Sequence, residues 1–227
     1  MPPAGPSLVA AHPDVEPLLD ATPPHPSAQR ARLLEGMAQA VAEKGYAAAT
    51  VADAVRIARV SRGTFYALFA SKEACFLESY RHGVDVLVDR VRAAVRAEDG
   101  DWVARLRAGL RAYLRTLAGE PRFARTHLLE VHAAGPRAQA ARDDALRRFA
   151  GRYRSSFEAA LAERDGARLP SDDALFVLTA GVDQLVCAVL REQDAAALAD
   201  LEDRLLTVAV AFLEGAAPTT TPTHGGP

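Results

Sequence analysis

Apolar residues recur along most of this chain at three- and four-residue intervals, the spacing that places them on one face of a helix. No segment shows the alternation that is typical of a half-buried strand. Capping residues, glycines and prolines divide the pattern into predicted helices over about 27–44, 50–58, 61–69, 71–97, 102–118, 122–133, 136–164, from 171 onwards and 196–214. The pattern therefore predicts an all-α fold.

Two short helices joined by a tight turn are the most informative part of this pattern. Thr50 followed by Asp53 has the spacing of a capping box, with Asp in place of the usual Glu, so a helix begins there. Its apolar stripe consists of Val51, Ala54, Val55 and Ala58. Ser61 can cap the second helix, whose inner face carries Phe65 and Phe69. This is a helix-turn-helix arrangement, and its second helix suits the major groove of DNA.

The outer face of the second helix carries candidates for reading bases. We expect Arg62 to pair bidentately with guanine and the methyl group of Thr64 to meet a thymine methyl. Gly63 would let the backbone approach the groove closely. The sequence therefore predicts a DNA-binding regulator.

Other residues of the same region are expected to bind phosphates. Tyr66 should point outward, and Lys72 begins the next helix, where its charge and free backbone N–H groups can bind one phosphate. Thr50 and Ser61 are caps first, with phosphate contact as a second role. The predicted DNA-binding set is Thr50, Arg59, Ser61, Arg62, Gly63, Thr64, Tyr66 and Lys72.

From Arg30 to Cys75 these features resemble the DNA-binding domain of the tetracycline-repressor (TetR) family. The resemblance is carried by Leu33, Leu34, Met37, Val41, Gly45, Tyr46, Thr50, Val60, Ser61, Arg62, Gly63, Thr64, Phe65, Tyr66, Phe69, Ser71, Lys72 and Glu73. They cover about a fifth of the chain, and the remainder matches only in length and helical character.

Two positions depart from the family pattern. The turn before Val60 commonly carries glycine, but here it has Arg59, which would cost about 1 kcal/mol or more in a left-handed conformation. In exchange, Arg59 offers a further phosphate contact. Gly36 stands where the family usually has alanine, at a cost of up to about 1 kcal/mol inside a helix.

The resemblance implies a dimeric transcription factor, usually a repressor, that a small molecule releases from a near-palindromic DNA operator. It further implies a pocket among helices 4 to 8 whose occupancy shifts helix 4. Candidate pocket residues are Trp102, Leu106, Tyr113, Phe123, His127, Phe149, Tyr153 and Phe176, which are individually also candidates for the core. The nature of the effector cannot be read from them.

Helix 8 has more apolar residues than one buried stripe requires. The excess is explained either by burial at the centre of the fold or by a self-association face shared with helix 9. The resemblance favours the second explanation, since it implies a dimer built from the last two long helices. Candidate interface residues are Phe176, Leu185, Val189, Leu201, Leu205, Val208 and Phe212.

Composition indicates where the protein is located in the cell, and charge indicates which end of it contacts DNA. The residues are 49% hydrophobic and 25% charged, as in an ordinary globular protein. No leader and no apolar run of membrane-spanning length is evident, so the cytoplasm is expected. Residues 28–72 contain seven Lys or Arg and three acidic residues, a net charge of +4, and the other residues carry −6. A basic head on an acidic body favours DNA contact at one end.

The chain is predicted to have four parts. Residues 1–27 form a Pro-rich disordered extension, 28–75 the helix-turn-helix domain, 76–215 a helical ligand-binding and dimerisation domain, and 216–227 a flexible tail.

No enzyme motif is found, so no catalytic residue and no cofactor are expected. His127, Glu130 and His132 suggest a metal site only superficially, and the two cysteines lie far apart in sequence. Two alternatives to a ligand-responsive regulator remain open. One is a DNA-binding regulator controlled by a protein partner, and the other is a helical binding module or enzyme whose helix-turn-helix is only structural.

Overall fold

A computed structural model describes residues 26–162 and 169–215, and this part of the chain is helical without any strand. The α-helices are α1 (Pro26–Lys44), α2 (Val51–Ala58), α3 (Arg62–Leu68), α4 (Lys72–Arg96), α5 (Trp102–Gly119), α6 (Pro121–Ala124), α7 (Pro136–Ala162), α8 (Asp172–Glu192) and α9 (Glu202–Gly215). The predicted extension up to residue 25, the predicted end of helix 7 at Arg164 and the predicted tail over 216–227 lie outside the described residues.

Side-chain caps explain why most of these helices begin where they do. Ser61 accepts a hydrogen bond from the backbone N–H of Thr64 at 2.9 Å, and Ser71 accepts one from that of Ala74 at 3.1 Å. Asp101 and Ser171 cap α5 and α8 in the same way. Each such cap stabilises a helix by about 1 kcal/mol, and the helix starts predicted from the capping residues are confirmed.

Helix α4 is the central element, because it packs against α1 on one side and against α5 and α7 on the other. The buried hydroxyl of Ser79 donates to the carbonyl of Leu34 at 3.1 Å, and the buried Cys75 thiol faces the carbonyl of Leu33 at 3.7 Å. The buried apolar residues form one continuous cluster from Leu33 to Ala209. Helix α4 therefore joins the helix-turn-helix region to the helices that follow it in the chain.

Two predicted helices are less regular than expected. The segment predicted as one helix over 122–133 is α6, followed by a π-helical turn at Arg125–Leu129 and a 3-10 turn at Glu130–Ala134. The predicted helix over 196–214 begins as a 3-10 turn at Ala195–Leu201, capped by Asp194, and becomes α-helical at Glu202. The spacing of apolar residues over so few positions does not distinguish these helix types, which is why the prediction missed them.

Helix α8 corrects the expectation that no apolar run reaches membrane-spanning length. Its 21 residues pass that test by length and composition, with a mean hydropathy of 1.7 over the most apolar window. One of its faces packs against α7 and the 3-10 turn at 195–201. On the other face the side chains of Val177 and Leu185 are 64% and 39% exposed. Some apolar residues of α8 therefore fit burial at the centre of the fold, and others fit a self-association face.

The glycine at position 36 has a packing reason. A Cβ atom there would lie 2.7 Å from the carbonyl oxygen of Ala54 in α2 and 3.3 Å from the Cβ atom of Ala58. Alanine, the usual residue of the family, would therefore push α1 and α2 apart. The expected helix-propensity cost at Gly36 is accompanied by a close helix contact that the sequence pattern did not reveal.

Candidate nucleic-acid interface and effector cavity

The capping box at the start of α2 fixes the first helix of the helix-turn-helix. The backbone N–H of Asp53 donates to the Thr50 hydroxyl oxygen at 3.2 Å, and the Thr50 N–H donates to the Asp53 carboxylate at 3.1 Å. Lys44 lies 2.5 Å from the same carboxylate. Hydrogen bonds from Lys44 and Thr50 lower the pKa of Asp53 to about 2. Thr50 is therefore committed to the helix start, with its side chain at the exposed surface.

The turn between α2 and α3 keeps a left-handed shape without glycine. Arg59 has φ 52° and ψ 47°, and within the described residues no other non-glycine residue has a positive φ. The N–H of Val60 reaches the carbonyl of Val55 at 3.1 Å, which closes the end of α2. The side chain of Arg59 is exposed. The strain expected at this position is therefore present in the structure.

Helix α3 presents a polar face to solvent. Phe65 and Phe69 are buried beneath it, with exposed fractions of 0% and 4%. The outer face has Arg62 and Gly63 exposed and Tyr66 at 54% exposure. A Cβ atom at Gly63 would meet no protein atom closer than 3.5 Å, so internal packing does not require glycine there. An unobstructed backbone at this point is compatible with close approach of a partner.

The hydroxyls of Ser61 and Thr64 lie 2.9 Å apart at the start of α3. Ser61 is exposed, whereas Thr64 is half-buried. The pair is thus oriented before any DNA is bound. Base or phosphate contact by either hydroxyl stays a prediction.

Lys72 has structural partners in addition to its predicted phosphate contact. Its Nζ atom donates to the carbonyls of Tyr46 and Ala49 at 2.7 and 3.0 Å and lies 4.1 Å from the centre of the Tyr46 ring. Burial lowers the pKa of Lys72. The lysine therefore ties the start of α4 to the turn between α1 and α2. Its role in binding DNA stays a prediction.

Unpaired positive charge surrounds the turn. Within the part of the chain that the structure describes, Arg56, Arg59 and Arg62 make no ion pair with an acidic side chain. Arg30 and Lys44, by contrast, pair with Glu78 and Asp53. The three free guanidinium groups are available to a polyanion at one end of the molecule.

A cavity of about 90 Å³ lies among α4, α5, α7 and α8. Of the predicted pocket residues, Leu106, Tyr113, Phe123, His127, Phe149 and Tyr153 line it. Trp102 is buried outside its lining, and the half-buried Phe176 lies beneath the Arg147 guanidinium at 5.6 Å. The unpredicted lining residues include five from α4: Tyr80, Val84, Leu87, Val91 and Val95. The spacing of these apolar residues was the only sign of the lining in the sequence, and a helix face buried in the core shows the same spacing.

The cavity is apolar apart from a few buried polar groups. Arg142 and Asp183 form an ion pair whose side chains are only 12% and 8% exposed. Burial raises the pKa of Asp183, against the opposing effect of the Arg142 charge. Burial also raises the pKa values of Tyr113 and Tyr153 above their ordinary value. The Nε atom of Arg142 has no hydrogen-bond partner among the described residues.

The π-helical turn places a buried histidine against α4. The His127 ring stacks on Phe123, with 3.9 Å between ring centres, and on Tyr80 at 5.3 Å. Its Nδ1 atom donates to the carbonyl of Phe123 at 3.0 Å. A Cβ atom at Gly83 would lie 2.3 Å from His127 Nε2, so glycine makes room for the ring. Burial lowers the pKa of His127 to about 4, and the ring is therefore neutral at pH 7.

The same segment contacts the helix-turn-helix region. The Thr126 hydroxyl donates to the carbonyl of Ala38 in α1 at 3.3 Å. The Glu130 carboxylate accepts a hydrogen bond from the backbone N–H of Tyr46 at 2.8 Å. Residues 123–130 therefore line the cavity and hold the turn after α1. Sequence reasoning missed this double role because it depends on the irregular helix geometry.

No metal site emerges from the histidines and acids singled out in the sequence. Glu130 is engaged with Tyr46, and no three His, Cys, Asp or Glu side chains of the described residues could hold a metal ion together. Both cysteines are buried and unpaired. Burial raises the pKa of each thiol to about 12.

The predicted interface residues fall into two groups. Leu201 and Leu205 are 2% and 0% exposed in this single chain, so they belong to its own core. Leu185 and Val208 are 39% and 50% exposed. Phe176, Val189 and Phe212 are half-buried. The accessible apolar surface of α8 and α9 is therefore centred on Leu185 and Val208, together with the unpredicted Val177.

Comparison with known proteins confirms the family resemblance. Residues 33–79 match the family model of bacterial regulatory proteins of the tetR family. These residues run from α1 through α3 into α4 and include the whole helix-turn-helix. No curated protein is a significant sequence match to the chain.

Solved structures of regulators share the fold over most of the chain. The fatty acid degradation regulator FadR from Bacillus halodurans has a TM-score of 0.68 at 18% identity, covering 79% of this chain and 96% of its own. FadR from Bacillus subtilis, in complex with stearoyl-CoA, has a TM-score of 0.68 at 16% identity, with coverages of 80% and 97%. PfmR from Thermus thermophilus, a TetR family regulator, has a TM-score of 0.60 at 22% identity, with coverages of 78% and 95%.

Proposed function

We propose that this chain, a DNA-binding regulator of the tetR family, is a dimeric, sequence-specific repressor that a small molecule releases from its operator. The observation that carries the proposal is the outward face of α3. It leaves Arg62, Gly63 and Tyr66 accessible above the buried Phe65 and Phe69 rings, beside guanidinium groups that pair with no acidic side chain among the described residues. Such a face combines groups that can read bases with groups that bind phosphates.

The roles of individual residues follow from this placement. Arg62 and Thr64 read base edges, and Gly63 allows the approach. Tyr66 and Arg59 bind phosphates from exposed positions. Ser61, Thr50 and Lys72 add phosphate contacts to their capping and bracing roles.

Dimerisation uses the exposed apolar residues of α8 and α9. Val177, Leu185 and Val208 leave large parts of their side chains in solvent, a cost that a symmetric partner surface removes. A dimer is also a mechanical requirement, because two recognition helices must reach successive major grooves about 34–36 Å apart. We assign residues 28–75 to DNA binding and residues 76–215 to effector binding and dimerisation, in the cytoplasm, where the operator is found.

The cavity is the effector site. An apolar space that contains a buried ion pair and several phenol groups suits a ligand that is mostly hydrocarbon with few polar atoms. The complex of Bacillus subtilis FadR with stearoyl-CoA supports this assignment, because that protein shares the fold. Occupancy displaces α4 and the π-helical turn, and Thr126 and Glu130 pass the displacement to α1 and the following turn.

The proposal is tested by selecting genomic DNA fragments with the purified full-length protein. We expect enrichment of a near-palindromic site, with the regulator's own promoter region among its targets, and affinity that falls steeply between about 50 and 200 mM salt. Selected fragments without a shared motif, or binding that no compound reverses, would contradict sequence specificity and effector release respectively.

A further inference from the structure

A second, more polar cleft adjoins the cavity. It lies between α4 and α7 and has a volume of about 200 Å³. Its walls share Tyr80, Val84 and Ala145 with the cavity, so these three residues separate one space from the other. The cleft is therefore placed to be the entrance to the cavity and to hold whatever part of a ligand stays outside.

The charged residues that line this cleft are three arginines and one acid, Asp144. Arg81 is exposed and has no ion-pair partner within the described residues. Arg137 makes only a long contact with Glu73 at 3.7 Å, and its side chain is 76% exposed. Arg148 pairs with Asp85 at 2.7 Å. Guanidinium groups bind phosphate and carboxylate oxygens bidentately, so the cleft offers sites for an anion.

The inner cavity follows one face of α4. Its lining along this helix extends from Tyr80 to Val95, about 22 Å at 1.5 Å per residue. The lining between these ends is almost entirely apolar, with Leu87, Val91 and Leu110 among its members.

We propose that the effector is a single-chain amphiphile whose hydrocarbon tail fills the cavity and whose anionic head group binds Arg81, Arg137 and Arg148 in the α4–α7 cleft. This inference rests on the proposed function and specifies its ligand. The tail enters past Tyr80, whose ring stacks on His127 of the π-helical turn. Entry therefore displaces the segment that also contacts α1 and Tyr46.

The head-group site is tested by calorimetry on the full-length protein with palmitoyl-CoA, palmitate, hexadecanol and free coenzyme A. We expect palmitoyl-CoA or palmitate to bind at least tenfold more tightly than hexadecanol, and free coenzyme A to bind weakly. A stronger signal for palmitoyl-CoA identifies a phosphate-bearing head, and one for palmitate identifies a carboxylate. Equal affinity for hexadecanol and for both charged ligands would overturn the head-group assignment.

Variants locate the two parts of the site. Arg81→Glu should weaken binding of the charged amphiphile at least fivefold and leave hexadecanol unchanged, whereas Arg115→Glu, at an exposed arginine of α5, should change neither. Val91→Phe should weaken binding of palmitoyl-CoA more than that of octanoyl-CoA, because the larger ring fills part of the cavity far from Tyr80. Unchanged affinity in Arg81→Glu, or equal loss for both chain lengths in Val91→Phe, would contradict the corresponding part of the site.

Failure of this inference is distinguishable from failure of the proposed function. Arg81 lies outside the DNA-binding set, so Arg81→Glu should bind the operator as the unaltered protein does. If the protein binds an operator and another class of compound releases it, the proposed amphiphilic effector is wrong and the proposed function as a regulator is retained. If no operator is bound, the proposed function fails, and calorimetry still reports on the cleft.

Discussion

At position 36, helix propensity and tertiary packing make opposite demands. Alanine is favoured over glycine within an isolated helix by about 1 kcal/mol. In the folded chain, however, a Cβ atom at Gly36 would lie 2.7 Å from the backbone oxygen of Ala54. Backbone atoms yield less readily than the end of a side chain, so packing outweighs propensity here.

Gly36→Ala should therefore lower the free energy of unfolding by about 1–3 kcal/mol, the usual cost of overpacking. Gly151→Ala in α7 is the matched control, because a Cβ atom there meets nothing within 4 Å. The control should be neutral or up to about 1 kcal/mol more stable. Urea denaturation measures both, and a stabilised Gly36→Ala variant would refute the close helix contact.

Arg59 shows a second conflict, between backbone strain and charge. Arg59→Gly should stabilise the fold by about 1 kcal/mol, because glycine adopts the left-handed conformation without strain. The same change should weaken operator binding and reduce its salt dependence by about one counterion. Thermal unfolding and anisotropy titrations at several salt concentrations measure the two effects.

Arg59→Ala separates these effects, since it removes the charge and retains a Cβ atom. It should lose DNA affinity as Arg59→Gly does, without the gain in stability. If Arg59→Ala binds operator as well as the unaltered protein, Arg59 makes no phosphate contact.

Among the elements, those with strong local signals could be predicted from the sequence. The caps at Thr50, Ser61 and Ser71 specify where three helices start, and the positive φ of Gly45 at the end of α1 follows from its position. The π-helical turn at 125–129 could not be predicted, because its irregular hydrogen bonding is imposed by packing of Phe123 and His127 on α4. The pocket was expected among helices 4 to 8, but its lining residues on α4 were not named for a related reason: a lining residue and a core residue have the same chemistry.

The proposed function assigns two kinds of DNA contact to the recognition helix α3, and mutation can separate them. Tyr66→Phe removes one exposed hydroxyl and should weaken binding to cognate and scrambled DNA similarly. Arg62→Ala should cost about 1–3 kcal/mol on the cognate site and relax the preference at one base pair. Competition titrations with single-base operator variants measure this difference. An equal loss on cognate and scrambled DNA in Arg62→Ala would show that Arg62 does not read a base.

The π-helical turn should make stability depend on pH through His127. Its pKa is about 4 in the folded protein, below the ordinary value of 6.5 that an unfolded chain has. Between these values the unfolded chain binds the proton and the folded chain does not, so stability falls as the pH is lowered from 6.5 to 4. The full effect of such a shift is on the order of 3 kcal/mol.

His127→Gln should flatten this part of the pH profile, measured by urea denaturation at pH 4.5, 5.5 and 7. Asp53 does not interfere, because its pKa of about 2 places its loss of stabilisation below this range. Parallel profiles for the variant and the unaltered protein would mean that His127 is not held neutral by burial.

For the whole molecule, the helix-turn-helix lies at one end and the exposed apolar residues of α8 and α9 belong to the body. Glu130 and Thr126 join the cavity wall to the helix-turn-helix region, so under the proposed function one structural element serves effector binding and DNA binding. The proposed function also requires two copies to act together on one operator. Substitution of Val208 by Glu should therefore yield folded monomers, seen by sedimentation, that bind the operator weakly.

The most direct measurement is a hydroxyl-radical footprint of the purified protein on its selected operator. Two protected half-sites on one face of the duplex, with centres about 10–10.5 base pairs or a multiple apart, are the expected result. A single protected patch, or no protection at low ionic strength, would contradict a dimer that reads DNA through α3.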